Sequence, residues 1–245
     1  MKLAQLHQEL NTARFPALFQ KLTLEGVTLD NGLHISIRTA SELSGSQKRQ
    51  AAALINHFFY GDSADENFLQ DIYFNKHPSA INILVEDEKG KLHGISQAYL
   101  VSNQEGGQAL IYPITAFDKS LRGMGIYSFC YTLRPLYAMM QGCELIIFWS
   151  PNPLVVQKNQ EHEFHPLPGE EVSEKERRKL EDFISRYLDS PVELTQNMLL
   201  KASYLPASLQ HPPVVPIEDK EFMDYFRKEG IGEGGDRLVL FRRLG

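Results

Sequence analysis

The stretch from residue 108 to residue 149 restricts the fold more than any other part of this sequence. Gln108 to Phe117 has the residue pattern of a strand, and Gly123 to Gln141 is mostly apolar with helical spacing. The run Leu145 to Trp149 is continuously hydrophobic, which is typical of a strand buried on both faces, as in a parallel sheet. The three segments together predict a β-α-β unit.

Segments on both sides of this unit predict the rest of a mixed sheet. Alternating residues on either side of Asn31-Gly32 predict a hairpin, because Asn-Gly is the strongest short-range signal for a tight turn between strands. Further elements are predicted by hydrophobic periodicity: helices at 46–60, 64–76 and 219–229, and strands at 80–86, 92–101, 108–117 and 237–242. The predicted fold class is α/β (α+β), with a mixed, mostly antiparallel sheet, flanking helices and one central β-α-β unit.

Two regions lie outside this pattern. Leucine and phenylalanine recur at near-helical spacing in residues 1–26, which predicts an N-terminal helical extension. Residues from about 153 to 218 contain several prolines and a charged helix opened by the capping box Ser173 to Glu176. They predict a helical, Pro-rich inserted subdomain before the last helix and strand. We therefore expect a single domain over 1–245 with these two additions.

Composition argues against several classes of protein. The chain has 25 Lys and Arg against 31 Asp and Glu, a net charge of −6, and it has no long basic run to neutralise the phosphates of a nucleic acid. The N-terminus lacks the apolar run of a signal peptide, and no apolar stretch approaches the roughly 20 residues that cross a bilayer. Cys130 and Cys143 lie in apolar segments, where a small hydrophobic role is usual. We expect a cytoplasmic protein that binds neither nucleic acid nor membrane.

The turn from Arg122 to Ile126, between a predicted strand and a predicted helix, is the strongest functional candidate. A helix N-terminus presents unpaired backbone N–H groups and the positive end of the helix dipole. Gly123 and Gly125 lack Cβ atoms, so the backbone can approach a bulky pyrophosphate, and Arg122 can add a charged contact or cap the loop. The pattern predicts an anion site. The alternative is an ordinary turn with a solvated arginine.

The order β-α-α-β-β-β-α-β-insert-α-β, with Phe117-Asp118-Lys119-Ser120-Leu121-Arg122-Gly123-Met124-Gly125-Ile126-Tyr127 at its centre, resembles the GNAT-type acyl-CoA N-acyltransferase superfamily. Arg122 and Gly125 match the family's hallmark of Arg or Gln, two residues, Gly, one residue, then Gly or Ala. Tyr127 stands where the resemblance predicts Gly or Ala. The resemblance implies acetyl-CoA or another acyl-CoA as co-substrate, without a metal. The cofactor-binding residues that it implies are Ala116, Phe117, Arg122, Gly123, Met124, Gly125, Ile126, Tyr127 and Asn152.

The resemblance also implies acyl transfer to an amine acceptor, which is a small molecule or a peptide. The pantetheine would lie between the strands that end near Phe117 and Trp149, and backbone N–H near Ala116 or Phe117 would polarise the acyl carbonyl. Tyr225 is the candidate for the tyrosine that protonates the departing thiolate. In the direct register Phe226 occupies that place, and packing on an amphipathic helix is the alternative role for Tyr225.

Several questions stay open at the level of sequence. No general base is assigned, because the available Asp118, Glu86, Asp87 and His93 are more simply explained as solvated turn or strand-face residues. The cluster Glu161 to His165 lacks the helical spacing of zinc hydrolases, so no metal site is predicted there. A non-catalytic module that binds CoA or a protein is the alternative function. A role of the insert in covering the acceptor cleft, and a homodimer, also remain open.

Overall fold

The computed structural model describes residues 1–205, 218–231 and 235–244. In these ranges eight strands form one mixed, mostly antiparallel sheet flanked by helices, which confirms the predicted fold class. The chain divides into two compact units, Met1–Tyr99 with Tyr112–Gln141, and Leu100–Ile111 with Gly142–Gly245. The division into one domain, an N-terminal extension and an insert stays a prediction. Residues 206–217 of the predicted insert lie outside the described residues.

The first unit contains the N-terminal helices and the first strands. Its helices are α1 (Leu3–Leu10), α2 (Phe15–Leu24), α3 (Gly45–Ile55), α4 (Glu66–Gln70) and α5 (Ile126–Met140). Its strands are β1 (Val27–Thr28), β2 (His34–Thr39), β3 (Ile81–Glu86), β4 (Leu92–Ser102) and β5 (Gln108–Phe117), of which β4 and β5 continue into the second unit. The first four pair in sequence order and antiparallel, and Val27 lies opposite Ile35, as the predicted hairpin requires.

Two predicted helices differ from the structure in their second halves. Regular α-helix ends at Ile55 and at Gln70, and the wider π-helical segments Asn56–Tyr60 and Asp71–Asn75 follow. The buried Asn56 side chain bonds the backbone N–H and C=O of Ala64, both at 2.9 Å. This tertiary contact accompanies the π-helical turn, and the spacing of hydrophobic residues along the sequence cannot predict it.

Helix α5 is the main packing element of the first unit. One of its faces is buried and consists of Ile126, Phe129, Cys130, Leu133, Arg134, Tyr137 and Ala138. The N-terminal helices pack on it, since the His7 imidazole lies 2.9 Å from Thr132 Oγ1 and the Phe19 ring stacks on Tyr137 at 5.0 Å. Burial of each large apolar side chain stabilises such packing by about 1.5–3 kcal/mol. The N-terminal residues thus hold the helix that begins at the candidate anion turn.

The second unit contains the buried central strand and the C-terminal elements. They are β6 (Leu145–Ser150), α6 (Pro153–Gln160), α7 (Glu174–Leu188), β7 (Leu199–Leu200), α8 (Lys220–Lys228) and β8 (Arg237–Arg243). Ala109–Ile111 of β5 pair in parallel with Leu145–Ile147 of β6, and β6 pairs antiparallel with β8. All six residues of β6 are buried. The order β5, α5, β6 with a parallel strand pair confirms the predicted β-α-β unit.

Two helices in the inserted region show what capping residues contribute. Ser173 accepts a hydrogen bond from the backbone N–H of Glu176 at 3.3 Å and starts α7, as predicted. In the predicted capping box the Glu176 side chain would accept a hydrogen bond from the backbone N–H of Ser173. Instead, the Glu176 carboxylate binds Arg243 at 2.7 and 2.8 Å. Helix α6 was not predicted. Among the described helices, none has both the length and the apolar character of a membrane-spanning segment.

Candidate functional site

The predicted anion turn connects the end of β5 to the start of α5. The Asp118 side chain accepts a hydrogen bond from Ser120 N at 2.9 Å and caps one turn of 3-10 helix. Gly123 and Gly125 then adopt φ of +75° and +80°, and α5 begins at Ile126. Residues other than glycine are strained in this left-handed region. Glycine at both positions therefore lets the chain turn into the helix at little conformational cost.

The first turn of α5 has no side-chain cap. Its N-cap residue is Gly125, and the first intrahelical bond runs from Phe129 N to Gly125 O at 3.0 Å. The backbone N–H groups of the three residues before Phe129 therefore point out of the helix end without an intrahelical partner. Together with the helix dipole they favour an anion at this point.

The structure brings together the predicted residues 122–127. Arg122, Gly123, Met124 and Gly125 are exposed, and no atom lies within 4 Å of the position that a Cβ on Gly123 would take. Ile126 differs, because its side chain is 1% exposed and packs in the core, so only its backbone N–H faces the turn. The turn is thus open at Gly123, whereas a Cβ on Gly125 would lie 3.5 Å from Leu3 Cδ2.

The aromatic residues next to the turn form a line along α5. Tyr127 is 43% exposed, and its ring lies 6.3 Å from Phe117 in an edge-to-face arrangement and 5.8 Å from Tyr131. Phe117 is half-buried and covers Gly94 of β4, where an added Cβ would lie 2.2 Å from the Phe117 ring. Ala116 is buried. Gly94 was not singled out from the sequence, although a glycine inside a strand pattern often marks such a close approach.

Asn152 and Tyr225 lie in the second unit. Asn152 is the N-cap of α6, and its Oδ1 accepts a hydrogen bond from Leu154 N at 3.0 Å. Tyr225 is half-buried on α8, 5.7 Å from the Phe222 ring, and Phe226 is 1% exposed. Burial, and then the nearby Glu229 carboxylate, raise the pKa of Tyr225 to about 12. Tyr225 and Glu229 line a cavity of about 190 Å³ with Pro166.

The cluster Glu161 to His165 makes local polar contacts. His165 Nδ1 lies 2.8 Å from Glu170 Oε2, and Glu163 binds Arg242 at 2.7 Å. No group of three or more His, Cys, Asp and Glu side chains suited to a metal occurs among residues 1–205, 218–231 and 235–244. The carboxylates and imidazoles of this cluster therefore have protein partners of their own.

His93 on β4 connects two carboxylates near the start of the turn. Its Nε2 lies 3.2 Å from Asp87 Oδ2 and its Nδ1 lies 3.9 Å from Asp118 Oδ2, while its backbone carbonyl accepts a hydrogen bond from Asp118 N at 2.7 Å. The backbone N–H of Ser120 lowers the pKa of Asp118 below its ordinary value, with further lowering from the Ser120 hydroxyl and from His93. The ionised Asp118 therefore stabilises the segment that leads into the turn.

Asp118→Asn is expected to flatten the acid limb of the stability curve. A carboxyl whose pKa is lower in the folded than in the unfolded state stabilises the fold above the unfolded pKa of about 4, and this contribution is lost as pH falls through the folded pKa. Asparagine keeps the cap, so the loss at pH 7 should stay below about 1 kcal/mol. Urea unfolding at pH 7, 4 and 3 measures both effects. Glu25→Gln, at an exposed carboxylate, is the control, and an unchanged acid limb in Asp118→Asn would contradict the assignment.

Comparison with known proteins gives structural likeness without sequence matches. No family model matches the chain, and no curated protein matches it. Arabidopsis thaliana NAA60, solved with acetyl-CoA, is 13% identical with a TM-score of 0.44, over 54% of this chain and 85% of that one. Arabidopsis thaliana Naa50, solved with a bisubstrate analogue, is 11% identical with a TM-score of 0.45, over 86% of this chain and 99% of that one. An aminoglycoside acetyltransferase from an uncultured soil metagenomic sample is 16% identical with a TM-score of 0.44, over 59% of this chain and 94% of that one.

These likenesses are partial, with TM-scores below 0.5. From β2 onward the described chain follows the order β-α-α-β-β-β-α-β, then the inserted region, then α-β, as the resemblance implies. A parallel strand pair is joined through a helix whose first turn has no side-chain cap. These elements agree with the arrangement of strands and helices that the resemblance implies.

Proposed function

We propose that this protein binds an acyl-CoA, with acetyl-CoA as the expected donor, and transfers the acyl group to an amine. The observation that supports the proposal most strongly is the turn before α5. Two glycines with positive φ, an uncapped helix N-terminus and an exposed arginine occur there within five residues. The pyrophosphate of CoA is the anion that we assign to this turn, since backbone N–H groups and a helix dipole are the usual means of binding it.

The roles of single residues follow from their positions. The backbone N–H groups of Ile126 and Tyr127 would donate to the pyrophosphate, and the Arg122 guanidinium would add a charge-assisted hydrogen bond. The half-exposed ring of Tyr127 offers an apolar surface next to the phosphates. Ala116 and Phe117, at the end of β5, would also contact the cofactor. Asn152 lies in the second unit, where it caps α6, and its contact with the cofactor stays a prediction from the resemblance.

Titration of the full-length chain with acetyl-CoA in a calorimeter tests binding, and release of free CoA thiol in the presence of amines tests transfer. We expect saturable binding and thiol release with at least one class of amine. If neither acetyl-CoA nor longer acyl-CoAs bind at millimolar concentration, the proposed function is wrong.

A second candidate function is binding of CoA without catalysis. It is favoured by the burial of Phe226, which occupies the position of the expected tyrosine, and by the raised pKa of the half-buried Tyr225. The two functions differ in the thiol assay, because a binding module saturates with acetyl-CoA and releases no thiol with any amine.

Arg122→Ala is expected to weaken acetyl-CoA binding by about tenfold or more. A hydrogen bond to a charged group contributes about 1.5–3 kcal/mol, and about 1.4 kcal/mol corresponds to a factor of ten in affinity. The fold should not change, since Arg122 is exposed and its guanidinium makes no hydrogen bond within the described ranges. Arg49→Ala removes another exposed arginine from the same unit and is the control. If Arg122→Ala and Arg49→Ala bind acetyl-CoA with equal affinity, Arg122 does not contribute to the site.

A further inference from the structure

Arg134 of α5 is buried without a counter-charge. It is 4% exposed, and no carboxylate forms an ion pair with it in the part of the chain that the structure describes. Its Nη2 donates hydrogen bonds to Ser96 Oγ on β4 and to Thr115 Oγ1 on β5. The guanidinium also lies over the Tyr112 ring, 4.3 Å from the ring centroid. Burial of a charge without an opposite charge is among the most costly features that a folded protein contains.

Part of the hydrogen-bonding capacity of Arg134 is unused. Its Nε is buried and has no hydrogen-bond partner, and within the described residues Nη1 makes no hydrogen bond either. The chain is not short of acids, since Asp and Glu exceed Lys and Arg by 31 to 25. A cation kept apart from the many carboxylates of an acidic protein has donors available for an anion that comes from outside.

Hydroxyl groups and aromatic rings lie around Arg134, together with the buried Cys130 thiol. The Tyr112 hydroxyl is hydrogen-bonded to Tyr131, and burial raises the pKa of Tyr112 well above its ordinary value, so that it remains a neutral donor. Thr115 and Tyr131 are half-buried, and the Tyr131 ring lies 5.8 Å from the ring of the exposed Tyr127. This line of side chains connects the cluster to an exposed residue.

We propose that Arg134 binds the carboxylate of a small ligand, with the hydroxyl groups of Ser96 and Thr115 as neighbours. A guanidinium surrounded by hydroxyl donors fits an oxyanion, and the planar, singly charged carboxylate suits a buried site better than a bulky dianion does. Arg134 lies eight residues beyond Ile126, or about 12 Å along the helix. The two anion sites of α5 are thus separate. The amine acceptor would then be one that carries a carboxylate, such as an amino acid, and this second step rests on the proposed function.

Arg134→Met separates this role from a purely structural one. Ser96 Oγ and Thr115 Oγ1 already share a hydrogen bond at 3.4 Å, so the two hydroxyls keep a partner when the guanidinium is removed. Methionine also fills much of the vacated space and leaves no buried charge. We therefore expect the urea midpoint of Arg134→Met to be unchanged or higher. A marked fall of that midpoint would mean that Arg134 holds α5 to the sheet, and would overturn the proposal.

Thermal unfolding in sodium acetate, against sodium chloride at equal ionic strength, tests carboxylate binding directly. The wild-type midpoint should rise with acetate concentration, the rise should be absent in Arg134→Met, and it should be reduced in Thr115→Val, which keeps the arginine and removes one hydroxyl. An equal rise in wild type and Arg134→Met, or no rise in wild type, overturns the proposal. A rise with inorganic phosphate but not with acetate overturns the assignment to a carboxylate.

Acyl transfer to amino acids and to their carboxamides tests the acceptor class. Wild type should prefer the free carboxylate by at least tenfold in kcat/KM, and Arg134→Met should lose that preference. Equal preference in the two proteins would count against the acceptor assignment. Absence of transfer to every amine, or of acetyl-CoA binding, would instead count against the proposed function, and the acetate measurement is independent of both.

Discussion

Gly123→Asp is expected to weaken acetyl-CoA binding by about 100-fold while the fold stays intact. The new carboxylate would lie at the N-terminus of α5, where we place the pyrophosphate, and like charges in contact cost several kcal/mol. A factor of 100 corresponds to about 2.8 kcal/mol. Aspartate tolerates the left-handed backbone of Gly123, at φ +75°, better than most residues, and the side chain enters open space. Calorimetric titration gives the affinity, and urea unfolding gives the stability.

Gly123→Asn is the matched variant, with nearly the same shape and no charge. The affinity of Gly123→Asn for acetyl-CoA should stay within about fivefold of wild type, because the amide adds bulk but no charge that repels the pyrophosphate. Gly90→Asp places the same charge at another exposed turn of the first unit, at φ +73° and also in open space, and should leave binding unchanged. If the Asp and Asn variants at position 123 bind equally well, the charge of the ligand does not lie at this turn.

Gly94→Val is expected to lower the free energy of unfolding by about 3 kcal/mol, at the upper end of the cost of overpacking. A Cβ at Gly94 would lie 2.2 and 2.8 Å from Cδ1 and Cε1 of Phe117, and 3.2 Å from Leu121 Cδ1. The ring would have to leave its place at the end of β5, directly before the turn. Urea unfolding measures the loss, and acetyl-CoA affinity should fall with it if the position of Phe117 supports the turn.

A double variant identifies the cause of that loss. Gly94→Val with Phe117→Ala removes the ring that the new side chain meets, so its loss should be smaller than the sum of the two single losses by about 1 kcal/mol or more. Gly45→Val is the control, because only the flexible Arg49 Nη1 lies near, at 3.5 Å. Strict additivity at positions 94 and 117 would show that the valine is destabilising for some other reason.

Strands were predicted closely because their signal is local. Alternation predicted β3 from 80 and the structure begins it at Ile81, while β5 coincides with its predicted range from Gln108 to Phe117. The start of α5 was predicted three residues early, at Gly123. Both glycines of the turn suit a helix entry by pattern, and only their positive φ excludes them from the helix.

Helix α6 and Arg134 show what the sequence does not reveal. No helix is predicted at Pro153, yet proline is favoured in the first turn of a helix and Asn152 is a suitable N-cap, so the sequence does contain a local signal for α6. Arg134 carries no such signal. Its burial depends on Ser96 and Thr115, which lie on two strands distant in sequence, and spacing along the chain cannot predict that contact.

The backbone amides of the turn give the most direct test of the central claim, which is that residues 122–127 bind the pyrophosphate of an acyl-CoA. Titration of the ¹⁵N-labelled full-length chain with CoA should shift the amide resonances of Gly123, Gly125, Ile126 and Tyr127 strongly, and leave that of Gly90 in place. Resonances at the turn that stay unchanged while others shift on saturation would place CoA elsewhere and contradict the claim.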